Sequence, residues 1–284
     1  MNTSTQLKAL IRNIAKEKGI EAEIILRRFM LERLLERISV SPYNDHFILI
    51  GGMLIASMVG MDTRATMDMD TTITGQTISA HELEIILCSI LSQPIDDGVT
   101  MKLGSIDEIH DVAEYPGYRA SIAAIFDKTR QNLKIDITTG DLVTPKEIDY
   151  AYKLLFEQRS ISVKAYNMET ILAEKYETII TRGLTNTRMR DFYDIYILSG
   201  LHEKSIDYKT LGKAVQVTAS KRGTMSQLMG NTHQVIERIE NSSDMRDLWE
   251  RYQKKNEYAA NANWMDVIQA VKMIDQRIKG SLEG

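Results

Sequence analysis

Cysteine is almost missing from this chain. A single one, Cys88, in 284 residues excludes a disulfide framework and every multi-cysteine zinc or iron–sulfur site. Its place in the apolar run Ile85-Ile86-Leu87-Cys88 predicts a core residue. Proline is scarce too, at four residues, so little interrupts helical periodicity, least of all beyond Met168. No apolar run reaches membrane length: the longest, Phe47 to Met61, is broken by Gly51-Gly52. The opening MNTSTQLKALIRNIAKEKG has no apolar targeting core, which gives the expectation of a cytoplasmic protein. A large excess of one charge is also absent. The net charge of −4 counts against a globally basic nucleic-acid binder and leaves a local basic surface open. Neither the P-loop pattern nor GxGxxG occurs, so those two phosphate cradles are not supported. His81-Glu82 lacks the closing histidine of a zinc-hydrolase helix, and neither His81 nor His110 has a second ligand at useful spacing.

What is present describes an ordinary globular chain. Hydrophobic residues make up 43% and charged residues 26%, enough for a sizeable core in one large or two smaller domains. Acidic residues outnumber basic ones before about residue 200, and the balance reverses slightly after it. Up to about residue 40, Leu7, Leu10, Ile11 and Ile14 and then Ile24 to Ile38 recur at helical spacing, and Ser41-Pro42 ends that pattern. A mixed pattern follows. Phe47 to Ile50 reads as a short buried strand, Gly51-Gly52 as a turn, and Met53 to Val59 as a helix. Met67 to Ile73 reads as a strand, Ala80 to Leu91 as a helix and Val99 to Leu103 as a strand. Tyr118 to Phe126 and Asn132 to Thr138 form a hairpin around Asp127-Lys-Thr-Arg-Gln. From Met168 onward the periodicity is helical, and no internal repeat stands out. The expectation is an α/β domain over residues 1–166, with its core at about 41–166, and a helical domain over 167–284.

The chemistry is concentrated in the mixed section. Residues two apart on a strand share a face, so Asp68 and Asp70 point to one spot, with Met67 and Met69 opposite. Asp136, flanked by Ile135 and Ile137, offers a third carboxylate from another strand. Such a set is costly to leave unpaired, and oxygen-only ligation favours Mg²⁺ or Mn²⁺ over zinc. Two such ions about 3.5–4 Å apart clamp an in-line displacement at phosphorus. Isolated, an Asp-x-Asp pair is more often a solvated strand face. The diglycine opening a helix adds a backbone anion site, since the first helical N–H groups point at a phosphate. Arg64 and Thr66 brace the turn before the aspartates, with Arg64 in reach of phosphate. Met168 to Arg182, capped by Asn167, aligns Ile171, Lys175, Thr178 and Arg182 along one side. Lys175 and Arg182 are thereby expected to face the active cleft, unless this is simply a solvated helix face. For Arg190-Asp191-Phe192-Tyr193-Asp194, a buried Arg–Asp pair with core aromatics competes with a functional role.

These motifs carry a resemblance. GGMLIASMVG followed by RATMDMD, KIDITTGD, ILAEKYETIITRG and NTRMRDFYDIYIL, in that order, resembles the AbiEii/AbiGii toxin family of bacterial nucleotidyltransferases, within the DNA-polymerase-β-like superfamily. The likeness runs over about residues 25–200. It implies an α+β fold: a nucleotidyltransferase-like mixed sheet flanked by helices, plus an α-helical C-terminal domain. It also implies a toxin of a type IV toxin–antitoxin or phage abortive-infection system, whose antitoxin is a DNA-binding repressor that forms no stable complex with it. The implied reaction moves a nucleotide from an NTP onto RNA, in several relatives the tRNA 3′ end, which blocks translation. Carried onto this sequence, Gly51 and Gly52 match the triphosphate motif, Asp68 and Asp70 the metal pair and Asp136 the third acid. Lys175 and Asp191 match the lysine and aspartate of the later motifs. Met53 departs from the pattern, standing where relatives often have a hydroxyl residue. On the helical part, Lys221-Arg222, Lys254-Lys255, Tyr252 and Tyr258 offer candidate RNA contacts. A protein or small-molecule acceptor, or a non-catalytic NTP-binding regulator, are the alternative readings.

Overall fold

The computed structural model describes residues 3–74, 78–109 and 117–283; His110 lies outside them. The chain divides into two compact units, Met1–Asp141 with Ile148–Ala165, and Leu142–Glu147 with Tyr166–Gly284.

The first unit begins with helices α1 (Ser4–Lys18) and α2 (Ala22–Val40). Strand β1 (Phe47–Ile50), helix α3 (Gly51–Val59), strand β2 (Met69–Ile73) and helix α4 (Ala80–Leu91) follow. Five further strands complete it: β3 (Val99–Ile109), β4 (Gly117–Phe126), β5 (Thr129–Thr139), β6 (Ile148–Lys153) and β7 (Ser160–Ala165). Among the described residues, these seven strands form one mixed sheet in the order β3-β4-β5-β2-β1-β7-β6. β2 runs parallel to β5 and β1 parallel to β7, while the other neighbours are antiparallel.

Strand alternation decides which face becomes core. Tyr118, Ala120, Ile122, Ala124 and Phe126 of β4 are buried together with Leu133, Ile135 and Ile137 of β5. Helix α2 packs on β5 and β7, and α4 on β3. The α4 stripe is Leu83, Leu87, Ile90 and Leu91, which recur at helical spacing. Cys88 falls off that stripe and is exposed, which corrects its assignment to the core. The apolar run around it is wider than the face α4 buries.

Other boundaries shift for local reasons. Helix α3 already starts at Gly51, and β2 only at Met69, so Asp68 immediately precedes the strand. The β4–β5 turn is tighter than the polar run suggests: Phe126 pairs Thr129, leaving only Asp127-Lys128 between them. Asp127 takes a positive φ of 50°, which a two-residue hairpin turn demands. Its carboxylate accepts from the backbone and hydroxyl of Ser4 at 3.1 and 2.7 Å, tying α1 to the turn.

Helix α2 is buried almost all round from Arg28 to Ile38, so its charges enter the interior in pairs. Arg28 meets Glu32 at 3.1 Å, and Glu32 also accepts from the Leu155 backbone at 2.9 Å. Burial pushes the Glu32 carboxyl above its usual value, against the opposing pull of Arg28. Arg33 meets Glu157 at 2.7 Å. Arg37 grips both oxygens of Asp97 and the Val99 carbonyl at 2.7, 3.0 and 2.6 Å.

The second unit is helical: α5 (Met168–Arg182), α6 (Met189–His202), α7 (Tyr208–Lys221), α8 (Met225–Leu228), α9 (Thr232–Asn241), α10 (Ser243–Lys255) and α11 (Trp264–Glu283). Asn167 caps α5 by accepting from the Thr170 N–H at 2.8 Å. Its amide donates to the carbonyls of Thr144 and Lys146, which docks segment Leu142–Glu147 at the start of α5. Helix α11 packs on α6, α7 and α9. At its centre, buried Asp275 accepts from the Tyr176 and Thr232 hydroxyls and pairs with Lys279. Burial, reinforced by Asp275, pushes the Tyr176 phenol far above its usual value.

The Arg37–Asp97 pair yields a stability prediction. Arg37→Ala strands a buried carboxylate and is expected to cost about 3–5 kcal/mol in urea-induced unfolding. Arg33→Lys keeps its charge at the neighbouring pair and is expected to cost less.

Candidate active site

The site grows from the junction of β1, α3 and β2. Gly51 opens α3 with a φ of 65°, and a Cβ there would lie 2.1 Å from Oδ2 of Asp70. Only glycine lets the strand β2 carboxylate come this close. The Gly52 N–H donates to the same oxygen at 3.3 Å. A Cβ on Gly52 would sit 2.6 Å from the Thr66 hydroxyl and 3.5 Å from the Arg64 guanidinium. The residues Gly51, Gly52, Arg64, Thr66 and Asp70 are therefore one cluster. Arg64 is buried and donates to the Ala65 carbonyl, which fixes its guanidinium beside the helix start. Met53 is fully buried. A hydroxyl nevertheless stands over this helix start, supplied by Thr66.

The carboxylates come together through strand register. Asp70 of β2 is the direct partner of Asp136 on β5, so the two project from the same face of neighbouring strands. Asp68, two residues before Asp70, is half-buried and makes no side-chain hydrogen bond or ion pair with any described residue. Asp136 is different. Both its oxygens accept from Arg119 of β4, at 2.7 Å each, in a bidentate fork. Arg119 also senses Asp68 and Asp70: hydrogen bonding and charge from Asp136, then these two aspartates, raise its already high pKa further.

Beside Asp68 and Asp70, Asp136 is engaged by Arg119. Among the described residues no group of three acidic, histidine or cysteine side chains is placed to hold a metal. Arg119 takes one acceptor site on each Asp136 oxygen, and each oxygen keeps a further lone pair. Asp68 without a partner and Asp70 over the diglycine still make a two-carboxylate, all-oxygen donor pair that fits a divalent ion of the Mg²⁺ type. Arg119 is the residue that sequence reading missed.

In the second unit, Lys175 of α5 lies between two buried aspartates of α6. Its ammonium donates to Asp191 at 2.9 Å and pairs with Asp194 at 2.7 Å. Arg188 pairs with the other oxygen of Asp191 at 2.9 Å. Burial works to lower the Lys175 pKa, but the two aspartates outweigh it and raise the value, so the lysine stays charged. With three donors on the ammonium and two spoken for, one remains. Arg182 and Arg190 are exposed, while Phe192 and Tyr193 are core.

Among the expected RNA-contacting groups on the helices, Lys254 and Lys255 are exposed, while Arg222, Tyr252 and Tyr258 have partners within the second unit. Arg222 donates to Glu177 and Thr178. Tyr252 and Tyr258 share a hydroxyl hydrogen bond of 2.9 Å and pack around Tyr193, with Tyr252 also against Trp249. They consolidate α6, α10 and the following turn.

Several solved structures resemble this chain. JHP933 from Helicobacter pylori superposes with a TM-score of 0.50 at 14% identity, covering 93% of this chain and 96% of its own. An H. pylori protein assigned as a nucleotidyltransferase gives 0.49 at 14% identity, over 92% and 98%. An antigenic nucleotidyltransferase-like protein from Paracoccidioides brasiliensis is more distant, at 0.36 and 17% over 79% and 92%. No curated protein sequence matches. The family model for the AbiEii nucleotidyl transferase toxin of type IV toxin–antitoxin systems matches residues 33–271, most of the chain and all of the site residues above. The chain belongs to the AbiEii nucleotidyltransferase toxin family.

Proposed function

We propose that this toxin transfers a nucleoside monophosphate from an NTP to an RNA hydroxyl, at the 3′ end of tRNA, and that this stops translation. The observation that carries the reading is the single cluster at the start of α3, where Gly51, Gly52, Thr66 and Arg64 surround Asp70, with Asp68 and Asp136 on the adjoining strand face. The Thr66 hydroxyl beside Gly52 suits a triphosphate oxygen, and Arg64 adds fixed positive charge next to it. Asp68 and Asp70 would hold Mg²⁺, which supplies neutralisation of the phosphates and polarisation of the reacting phosphorus.

The attack joins the acceptor oxygen to the α-phosphorus and breaks the bond from that phosphorus to the pyrophosphate oxygen. The hydroxyl proton passes to solvent at this open face. Asp136 anchors Arg119, which keeps a guanidinium beside the reacting phosphate rather than leaving a third bare carboxylate there. In the second unit, Lys175 is held charged by Asp191 and Asp194 and keeps one donor for a phosphate oxygen. The cognate antitoxin acts at the level of transcription, and the site of action is the cytoplasm.

The decisive experiment incubates the protein with Mg²⁺, each labelled NTP, total RNA and whole-cell protein in parallel. Label is expected on RNA. Label confined to protein would overturn the RNA acceptor, and NTP binding without transfer would overturn catalysis. Asp68→Ala/Asp70→Ala is expected to lower transfer by about a hundredfold or more, with folding intact by circular dichroism. Gly51→Ala forces a methyl onto Asp70, and is expected to abolish NTP binding while costing about 1–3 kcal/mol of stability. Lys175→Ala leaves two buried aspartates without their cation, so a loss of about 3–5 kcal/mol should accompany loss of growth arrest. Asp194→Asn, which keeps one charged partner, is the variant for separating the two effects.

A further inference from the structure

Among the described residues of the first unit, the sheet is covered on one face only where β3, β4 and β5 extend as a meander. Thr100, Lys102 and Ser105 of β3, Ser121, Ala123 and Ile125 of β4, and Arg130, Asn132 and Lys134 of β5 all project from the face opposite the core. Register shows it: Lys102 pairs Ala123 and Ala123 pairs Asn132, Ser105 pairs Ser121 and Ser121 pairs Lys134, Thr100 pairs Ile125 and Ile125 pairs Arg130. The next row along is Asp107, Arg119, Asp136 and Asp70. The open face is therefore continuous with the carboxylates. Its outer residues are exposed, and its β4 floor is made of half-buried small or short side chains at Ser121 and Ala123.

Charge on this strip is of one sign. Lys102, Arg130 and Lys134 are exposed, and no hydrogen bond or ion pair engages their side chains among the described residues. No acid shares the three rows they occupy. In a chain with a net charge of −4, three unpaired cations around a floor of small residues form an exception to the overall balance. Lys134 lies two residues, about 7 Å of strand, from Asp136. We propose that this face is the acceptor track: the single-stranded 3′ end of the RNA lies across β4, its phosphates meet Lys102, Arg130 and Lys134, and its terminal hydroxyl points toward Asp68 and Asp70. The proposal rests on the RNA-acceptor reading above and moves the acceptor from the helices to the sheet. The physical basis is charge complementarity with a polyanionic strand, together with a low floor that leaves room for ribose and base.

The test measures binding of a fluorescent RNA hairpin with a single-stranded 3′ overhang by anisotropy, over a range of salt concentrations. Wild type is compared with Lys102→Thr/Arg130→Thr/Lys134→Thr and with Lys254→Thr/Lys255→Thr on α10. Threonine suits exposed strand positions, and a thermal melt and NTP titration confirm that each variant folds and keeps its nucleotide site. The sheet variant is expected to bind about fiftyfold more weakly near 0.15 M salt, with the salt slope flattened by about 2, as three lost phosphate contacts require. Its NTP affinity is expected to stay within about twofold of wild type, since the positions lie off the Gly51-Gly52 cluster. Unchanged RNA binding in the sheet variant, or a loss confined to the α10 variant, overturns the proposal. Failure of wild type to bind RNA also overturns it. In that case, NTP binding with label on protein preserves nucleotidyl transfer, whereas absence of NTP binding removes the proposed function itself.

Discussion

The close approach of Asp70 to the Gly51-Gly52 backbone is the constraint on which the rest of the first unit's site depends. A carboxylate oxygen occupies the space where a Cβ would stand, and the adjacent N–H donates to it. That contact fixes the exit of β1, the start of α3 and the face of β2 in one step. Because β2 runs parallel to β5 with Asp70 beside Asp136, the same constraint determines what lies next to the helix start. Thr66 and Arg64 then close over Gly52, and Met53 turns into the core. The hydroxyl that a serine or threonine at position 53 would offer arrives instead from a neighbouring loop.

Most of the fold was legible wherever apolar spacing and local caps agreed. Helix α4 has its Ser79–Glu82 capping box, and α5 its Asn167 cap, so both ends and types could be read directly. The diglycine after four apolar residues and the alternation in Met67 to Asp70 pointed to the residues that meet at the start of α3. Strands β6 and β7 were not individually visible. Ile148–Lys153 and Ser160–Ala165 are short and half polar, and β6 lies at the sheet edge where alternation carries little burial signal. Cys88 was misplaced because an apolar run says how much could be buried and not which side of the helix faces the sheet.

Arg119 was missed for a related reason. Its role depends on pairing across the β4–β5 hairpin, and pairing depends on the turn. Centring the turn on the polar run places the strand ends incorrectly. With only Asp127-Lys128 as the loop, Phe126 meets Thr129, and each step back along β4 matches a step forward on β5 until Arg119 meets Asp136. The same pattern governs the second unit, where Asp191 and Asp194 differ in motif prominence yet both hold Lys175. Several buried and half-buried charges are compensated locally, in α2 by the pairs of Arg28, Arg33 and Arg37 and at the site by Arg119 with Asp136.

The position of β7 has a consequence for synthesis. Strand β1, which delivers the diglycine, has β2 on one side and β7 on the other, and Ile48 finds its parallel partner only at Lys164. Before β7 leaves the ribosome, the middle of the sheet has one open edge, and the intervening segment Leu142–Glu147 already belongs to the other unit. Pairing across so long a stretch of chain is slow compared with hairpin closure. The nascent polypeptide therefore passes through an interval in which Asp68, Asp70 and Asp136 have been made but the strand that completes the sheet beside β1 has not.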